Sequence, residues 1–176
     1  ASFLGLLIGV VLWSALERKW NWYWISVVLA LLVKEDVALI VVPIGLWVAL
    51  RRDLRRGAWT VVGSLGAMAL MFLVVMRSFT GVAFRNSWRI PFGGFAGLFR
   101  VAFRQPLELW KYLTSDDRPT YLFQLLSPTA LAFIAAPSVA LTSAAVIGAN
   151  LISTFWYQHQ IGYHYPLVIV PSLMFG

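Results

Sequence analysis

WNWYWISVVLALLVKEDVALIVVPIGLWVAL, residues 20–50, sets three consecutive charges, Lys34-Glu35-Asp36, between two apolar runs. The runs cover residues 20–33 and 37–50, and Tyr23 is the only other ionisable side chain in them. A charge at the centre of a membrane helix costs at least ~2.5–3.5 kcal/mol on insertion scales, so three together persist where they pair, reach water or do chemistry. Neither run alternates polar and apolar residues as the strands of a transmembrane barrel would. The stretch reads as a helical hairpin with charge at its tip.

Basic clusters close both ends of this hairpin, Glu17-Arg18-Lys19 before it and Arg51-Arg52-Asp53-Leu54-Arg55-Arg56-Gly57 after it. From Lys19 to Lys34 is about 22 Å of helix at 1.5 Å rise per residue, and from Asp36 to Arg51 is the same. The triplet therefore lies at the opposite end from both clusters. Because each arm is shorter than the ~30 Å hydrocarbon core, the tip is expected below the headgroups, in a water-filled recess.

The same texture continues along the chain. Spans are predicted at residues 2–16, 20–33, 37–50 with a kink at Pro43, 58–76, 120–136 and 138–153, and a truncated seventh at 166–176. The aromatic cluster Trp20-Asn21-Trp22-Tyr23-Trp24 suits a membrane interface. Residues 77–119 form a long loop that mixes Arg77, Arg85, Arg89, Arg100, Arg104, Lys111 and Arg118 with many aromatic residues. Residues 93–104 within it have near-helical apolar spacing and read as an amphipathic helix on the membrane surface, with residues 106–113 as a second. The expected architecture is all-α, a single polytopic transmembrane domain over residues 1–176 with about six to seven spans. Since the chain opens at Ala1 inside an apolar run and ends inside another, it reads as a fragment of a longer protein.

Composition agrees with this class. Of 176 residues, 60% are hydrophobic and 12% charged, and the mean hydropathy is +0.78, more apolar surface than a water-soluble domain needs. The absence of cysteine excludes a disulfide framework and thiol chemistry. A net charge of +7 in a membrane chain points to cytoplasmic loops and anionic headgroups as partners, not to nucleic acid. Lys and Arg counts do not orient the chain, six on the side of residues 17–19 and 51–57 against eight on the other. Four arginines within residues 51–56 make the denser short loop, which places that side in the cytoplasm. Span parity then sets the triplet, the basic loop and the segment Phe155-Trp156-Tyr157-Gln158-His159-Gln160-Ile161-Gly162-Tyr163-His164-Tyr165 on one extracytoplasmic face.

Each charged or polar group on that face has two readings. Glu35 and Asp36 suit a general base, a metal ligand or an anchor for sugar hydroxyls, and equally a wet hairpin tip paired with Lys34. Side chains of adjacent residues point ~100° apart on a helix, so both carboxylates face one ligand only if the helix breaks there. Lys34 suits a phosphate as a point charge or simply snorkels. His159 and His164, the only histidines, suit a base, a phosphate partner or, with Glu35 or Asp36, a divalent metal, or else interfacial packing. No cofactor is identified. Nucleotide-binding, zinc-protease and serine-hydrolase motifs are absent.

The apolar-Lys-Glu-Asp-apolar hairpin, the Arg-rich turn after it and the later Tyr163-His164-Tyr165-Pro166 together resemble a family of bacterial and archaeal predicted membrane proteins, domain of unknown function 2079, over most of the chain. That family is similar, distantly, to the GT-C glycosyltransferases. The resemblance implies a multi-pass cell-membrane enzyme using a polyprenyl-phosphate sugar and an unknown acceptor. Lys34 matches the lysine of the Thr-Lys-Gly hairpin in the lipid A aminoarabinose transferase-like group, near the lipid phosphate, whereas Glu35 and Asp36 depart from that motif. It also implies a catalytic carboxylate on an outer loop preceding Ala1, leaving Glu35 and Asp36 as organisers as well as candidate bases. Arg77 and Arg85 join Lys34 as phosphate candidates, and His159, Tyr163, His164 and Tyr165 as donor or acceptor contacts. A secondary transporter and a non-catalytic membrane scaffold are the alternatives, the first weighed against by the lack of a second Lys-Glu-Asp hairpin.

Overall fold

The computed structural model describes residues 2–82, 87–129, 132–163 and 165–176. The described residues form helices and turns, with no strand among them. Helix α1 is Ser2–Leu16 and α2 is Trp20–Val33, matching the apolar runs residue for residue. At Lys34 the backbone becomes extended (φ −162°, ψ 149°), a 3₁₀ turn follows at Glu35–Val37, and α3 runs Ala38–Arg51. The helix thus breaks inside the charged triplet.

Helix α4 spans Leu54–Thr80, 27 residues with a mean hydropathy of 2.1 over its most apolar window. It starts earlier than the apolar pattern predicts, because Asp53 caps it. The Asp53 carboxylate accepts the Arg56 backbone N–H at 2.9 Å and pairs with the Arg56 guanidinium at 2.6 Å. Such a cap is worth about 1 kcal/mol and draws the basic residues into the first turn. Among the described residues this is the one helix long and apolar enough to cross a membrane. Only 11% of that window is buried within the protein, so α4 is not the core helix of a globular domain and presents its apolar surface outward. A π-helical turn at Met71–Met76 interrupts it.

The described core gathers Ile8, Val11 and Leu12 of α1, Tyr23 of α2 and Val41, Ile44 and Val48 of α3, with Val139, Ile169 and Leu173 from the C-terminal third. Helices α3 and α4 approach most closely at Gly57, where an added Cβ would lie 2.2 Å from the Ala49 backbone nitrogen and 2.5 Å from the Gly45 carbonyl oxygen. Small residues allow such close backbone approach. Hydrogen bonds tie the helices further. Tyr23 and Thr60 hydroxyls lie 2.8 Å apart, and the Trp47 indole N–H donates to Ser138 at 3.3 Å. The Arg56 guanidinium lies 4.5 Å from the Trp20 ring and Lys19 lies 4.3 Å from the Trp13 ring. Both basic clusters therefore share one end, as the parity argument requires.

Two short helices, α5 at Phe95–Arg104 and α6 at Pro106–Leu113, occupy the predicted amphipathic segments. Phe95, Phe99, Phe103, Leu107 and Trp110 are exposed along them. Two of the expected spans take a different form. The predicted span 120–136 is not one helix, because α7 (Arg118–Leu126) stops before Pro128, which offers no N–H for the ladder, and 3₁₀ turns at Ser127–Thr129 and Ala132–Ile134 follow. Helix α8 then runs Pro137–Ile152. The segment predicted as the seventh span is a 3₁₀ turn, Tyr165–Val168, and a six-residue helix, α9 (Val170–Phe175), punctuated by Pro166 and Pro171.

Candidate functional site

The break at Lys34 makes the site. Because Lys34 is extended while Asp36 sits in a 3₁₀ turn, the ammonium folds back onto the carboxylate two residues later, with Lys34 Nζ 2.5 Å from Asp36 Oδ2. Both side chains remain half-exposed. The ammonium also lies 5.5 Å from the centre of the Tyr165 ring, so the hairpin tip meets the aromatic segment from the far end of the chain. A pair this exposed contributes little to stability, on the order of 0–1 kcal/mol. Its effect is to fix the direction of the lysine.

Two recesses open on this pair. One of about 190 Å³ reaches inward past Val37 and Ile40 to Asn150 and Gln158. The other, about 570 Å³, is walled by Phe72 in the π-helical turn of α4, by Arg89 and Ile90, by Phe95 and Leu98 of α5, and by Ala144, Ala145, Gly148 and Ala149 of α8. Lys34, Asp36, Gln158 and Tyr165 line both. The result is a groove whose mostly apolar lining carries Lys34, Asp36, Arg89 and Gln158 as its charged and amide groups. An anion carried on an apolar body fits that combination.

Arg89, which no local pattern singles out among the loop arginines, is the second cation of this groove. Its guanidinium stacks 4.5 Å from the Phe155 ring and 5.4 Å from Trp88, and its backbone carbonyl accepts the Thr154 N–H at 2.8 Å. The enclosed Nε makes no hydrogen bond among the described residues. Arginine stacked on aromatic rings keeps its donors in plane for a bidentate oxyanion.

The other expected residues are dispersed. Arg77 is exposed near the C-terminal end of α4 and does not line the groove. Arg85, His164 and the side chain of Glu35 lie outside the described residues. Tyr163 is exposed and belongs to an aromatic cluster, its ring 4.6 Å from Tyr157 and 5.7 Å from Trp156. His159 is buried against the loop carboxylate of Asp117 and lines neither recess. Its Nδ1 is 2.6 Å from Asp117 Oδ1, without the alignment of a hydrogen bond. The Gln160 side-chain amide donates to the other Asp117 oxygen at 3.0 Å. No three His, Asp or Glu side chains converge as a metal-binding group among the described residues.

Burial works against ionisation of Asp117, but the Gln160 hydrogen bond and the adjacent His159 imidazole outweigh it and hold the carboxyl below its ordinary value, about 3.9. A carboxyl depressed in the folded state stabilises the fold above that ordinary value and loses the contribution as pH falls through the depressed one. Acidification below about pH 4 is thus expected to release His159 and the adjoining Trp156 segment. The check is tryptophan emission through an acid titration. Asp117→Asn should remove the step, and an unchanged titration in that variant refutes the assignment.

Arg118, by contrast, is wholly structural. It is buried, donates from Nε to the Leu151 carbonyl at 2.8 Å and from Nη2 to the Ser153 carbonyl at 3.3 Å, and lies 4.2 Å from the Tyr112 ring. These carbonyls end α8, so Arg118 and the Tyr112 hydroxyl, 3.0 Å from the Ile152 carbonyl, cap the helix that forms the groove floor.

A family model described as "Predicted membrane protein (DUF2079)" matches residues 1–176. No curated protein and no solved structure matches the chain.

Proposed function

The chain belongs to this predicted membrane protein family, domain of unknown function 2079, and from that premise we propose a multi-pass membrane glycosyltransferase of GT-C type that takes its sugar from a polyprenyl-phosphate donor at the extracytoplasmic face. The observation that carries the proposal is that Lys34, held by Asp36, lines one largely apolar groove together with Arg89, Gln158 and Tyr165. In this reading α1–α3 and α8 cross the membrane beside α4, with their charged tips below the headgroups.

In the transfer step the acceptor oxygen bonds to the anomeric carbon as the bond from that carbon to the phosphate oxygen breaks. The bonding electrons stay with the phosphate, and the acceptor proton passes to a carboxylate. Lys34 and Arg89 stabilise the charge that grows on the departing phosphate, and fixed charges of this kind are usually the strongest single source of transition-state stabilisation. Asp36 orients Lys34. The base is assigned to the earlier outer loop that the GT-C resemblance implies, since the Asp36 carboxylate is already engaged by the ammonium.

Lys34→Ala is expected to lower transfer about 100-fold or more and Arg89→Ala about 10–100-fold, with Arg77→Ala unaffected. The check is the glycan and glycolipid profile of cells producing the full-length protein. Unaltered profiles in both Lys34→Ala and Arg89→Ala refute the transferase reading.

A further inference from the structure

We propose that helices α5 and α6 form a docking surface selective for anionic phospholipid, on which Arg100, Arg104 and Lys111 meet the headgroup charge. The proposal does not rest on the transferase reading, and these three cations line neither recess beside Lys34.

Matching rows of side chains on the two helices carry it. On α5, Phe95, Phe99 and Phe103 recur every four residues and are exposed, so they share one face. Arg100 and Arg104 each follow a phenylalanine by one residue, about 100° further round the helix, and are exposed as well. On α6 the order repeats, with exposed Leu107 and Trp110 and then exposed Lys111 one residue on. The other sides of both helices, Leu98, Val101 and Ala102 on α5 and Leu109, Tyr112 and Leu113 on α6, are partly covered.

Two contacts set which way the rows face. A Cβ on Gly97 would strike the Phe92 carbonyl oxygen, so the turn before α5 packs on the side of that helix away from its phenylalanines. The Tyr112 hydroxyl donates to the Ile152 carbonyl at 3.0 Å and holds the inner side of α6 to the end of α8. The aromatic and basic rows are thus turned outward together, and the five large apolar side chains stand 59–83% exposed.

Amphipathic spacing alone suits any bilayer surface; the charges select among lipids. Arg104 and Lys111 line a common recess where the two helices meet. With Arg100 they face a single carboxylate within residues 95–113, Glu108, and none of the four forms an ion pair among the described residues. Cations beside an apolar row lay their stems on the hydrocarbon and keep their heads at the level of the lipid phosphates. Each basic residue near an anionic surface strengthens association about fivefold, whereas a neutral headgroup offers no such gain.

The test is amide hydrogen exchange of the full-length protein in nanodiscs of phosphatidylcholine, or of phosphatidylcholine and phosphatidylglycerol in equal parts. Exchange across residues 95–113 is expected to slow about fivefold or more in the anionic discs, and the difference to shrink in high salt. The triple variant Arg100→Gln, Arg104→Gln, Lys111→Gln should abolish the difference while exchanging like the unsubstituted protein in neutral discs, which controls for folding. Arg77→Gln, which removes an exposed cation outside the pair, should keep the difference. Equal exchange in the two lipids overturns the proposal, as does a triple variant that retains the difference. Polyglutamate that slows the same residues in neutral discs as much as phosphatidylglycerol does marks a surface for an acidic chain, and overturns it too. No sugar transfer is read, so the outcome leaves the transferase reading untouched, and the loss of that reading leaves this one standing.

Discussion

Gly57→Ala is expected to destabilise the protein by about 3 kcal/mol, at the upper end of the ~1–3 kcal/mol usual for overpacking. The new methyl would sit 2.2 Å from the Ala49 nitrogen and 2.5 Å from the Gly45 carbonyl oxygen. Both obstacles are backbone, so no rotamer change relieves them, and α3 and α4 must move apart. Separation also weakens the Tyr23–Thr60 contact between α2 and α4, which lies one turn further along α4. The same substitution at Gly63, nearly two turns further along α4, meets nothing within 4 Å. There the gain in helix propensity should stabilise by roughly 0.5–1 kcal/mol. Thermal unfolding of the two variants in detergent distinguishes them. Equal midpoints contradict the close α3–α4 crossing.

Arg118→Ala should cost a similar amount, about 3 kcal/mol, for a different reason. Its loss leaves the Leu151 and Ser153 carbonyls without their guanidinium donors, and an unsatisfied buried group costs about 1–3 kcal/mol. The Tyr112 ring also loses the cation stacked on it. Arg118→Lys keeps the charge but not the planar fork, and should recover less than half of the loss. Because the capped end of α8 forms the groove wall, amide exchange should rise first at residues 149–153 in Arg118→Ala. Exchange unchanged there, in a variant of unaltered stability, means the guanidinium does not cap α8.

These features are unevenly legible in the sequence. Helices α1, α2, α5 and α6 can be read there because a charge, a proline or a composition change bounds each apolar pattern. The start of α4 cannot be read from hydropathy, which does not see a cap, whereas Asp53 makes the following arginines helical. The break after α7 is written in Pro128, but apolar length alone overrides it and suggests a continuous span.

At the site, the hairpin places Lys34 and Asp36 opposite the basic clusters, and parity brings the aromatic segment beside them. Local pattern does not separate Arg89 from Arg77 and Arg85. What distinguishes it is the Phe155 ring and the Thr154 amide, contacts made across more than sixty residues of chain. Gly57 and Gly148 pose the same difficulty. Each is a single small residue in a helix, and only the partner across the gap shows that one packs against backbone while the other borders a groove. His159 packs against Asp117, a loop carboxylate that no local pattern links to it, and does not line the groove.

The most direct test of the central claim, that Lys34 and Arg89 act together on one phosphate, is a double-mutant cycle. The rate of transfer of labelled sugar from a polyprenyl-phosphate donor would be measured for the full-length protein, Lys34→Ala, Arg89→Ala and the double variant. Groups that act as a unit are non-additive, so each single variant should be severely slowed and the double variant little slower than Lys34→Ala alone. Wild-type rates in both single variants, or losses that multiply in the double variant as for independent sites, would contradict the claim.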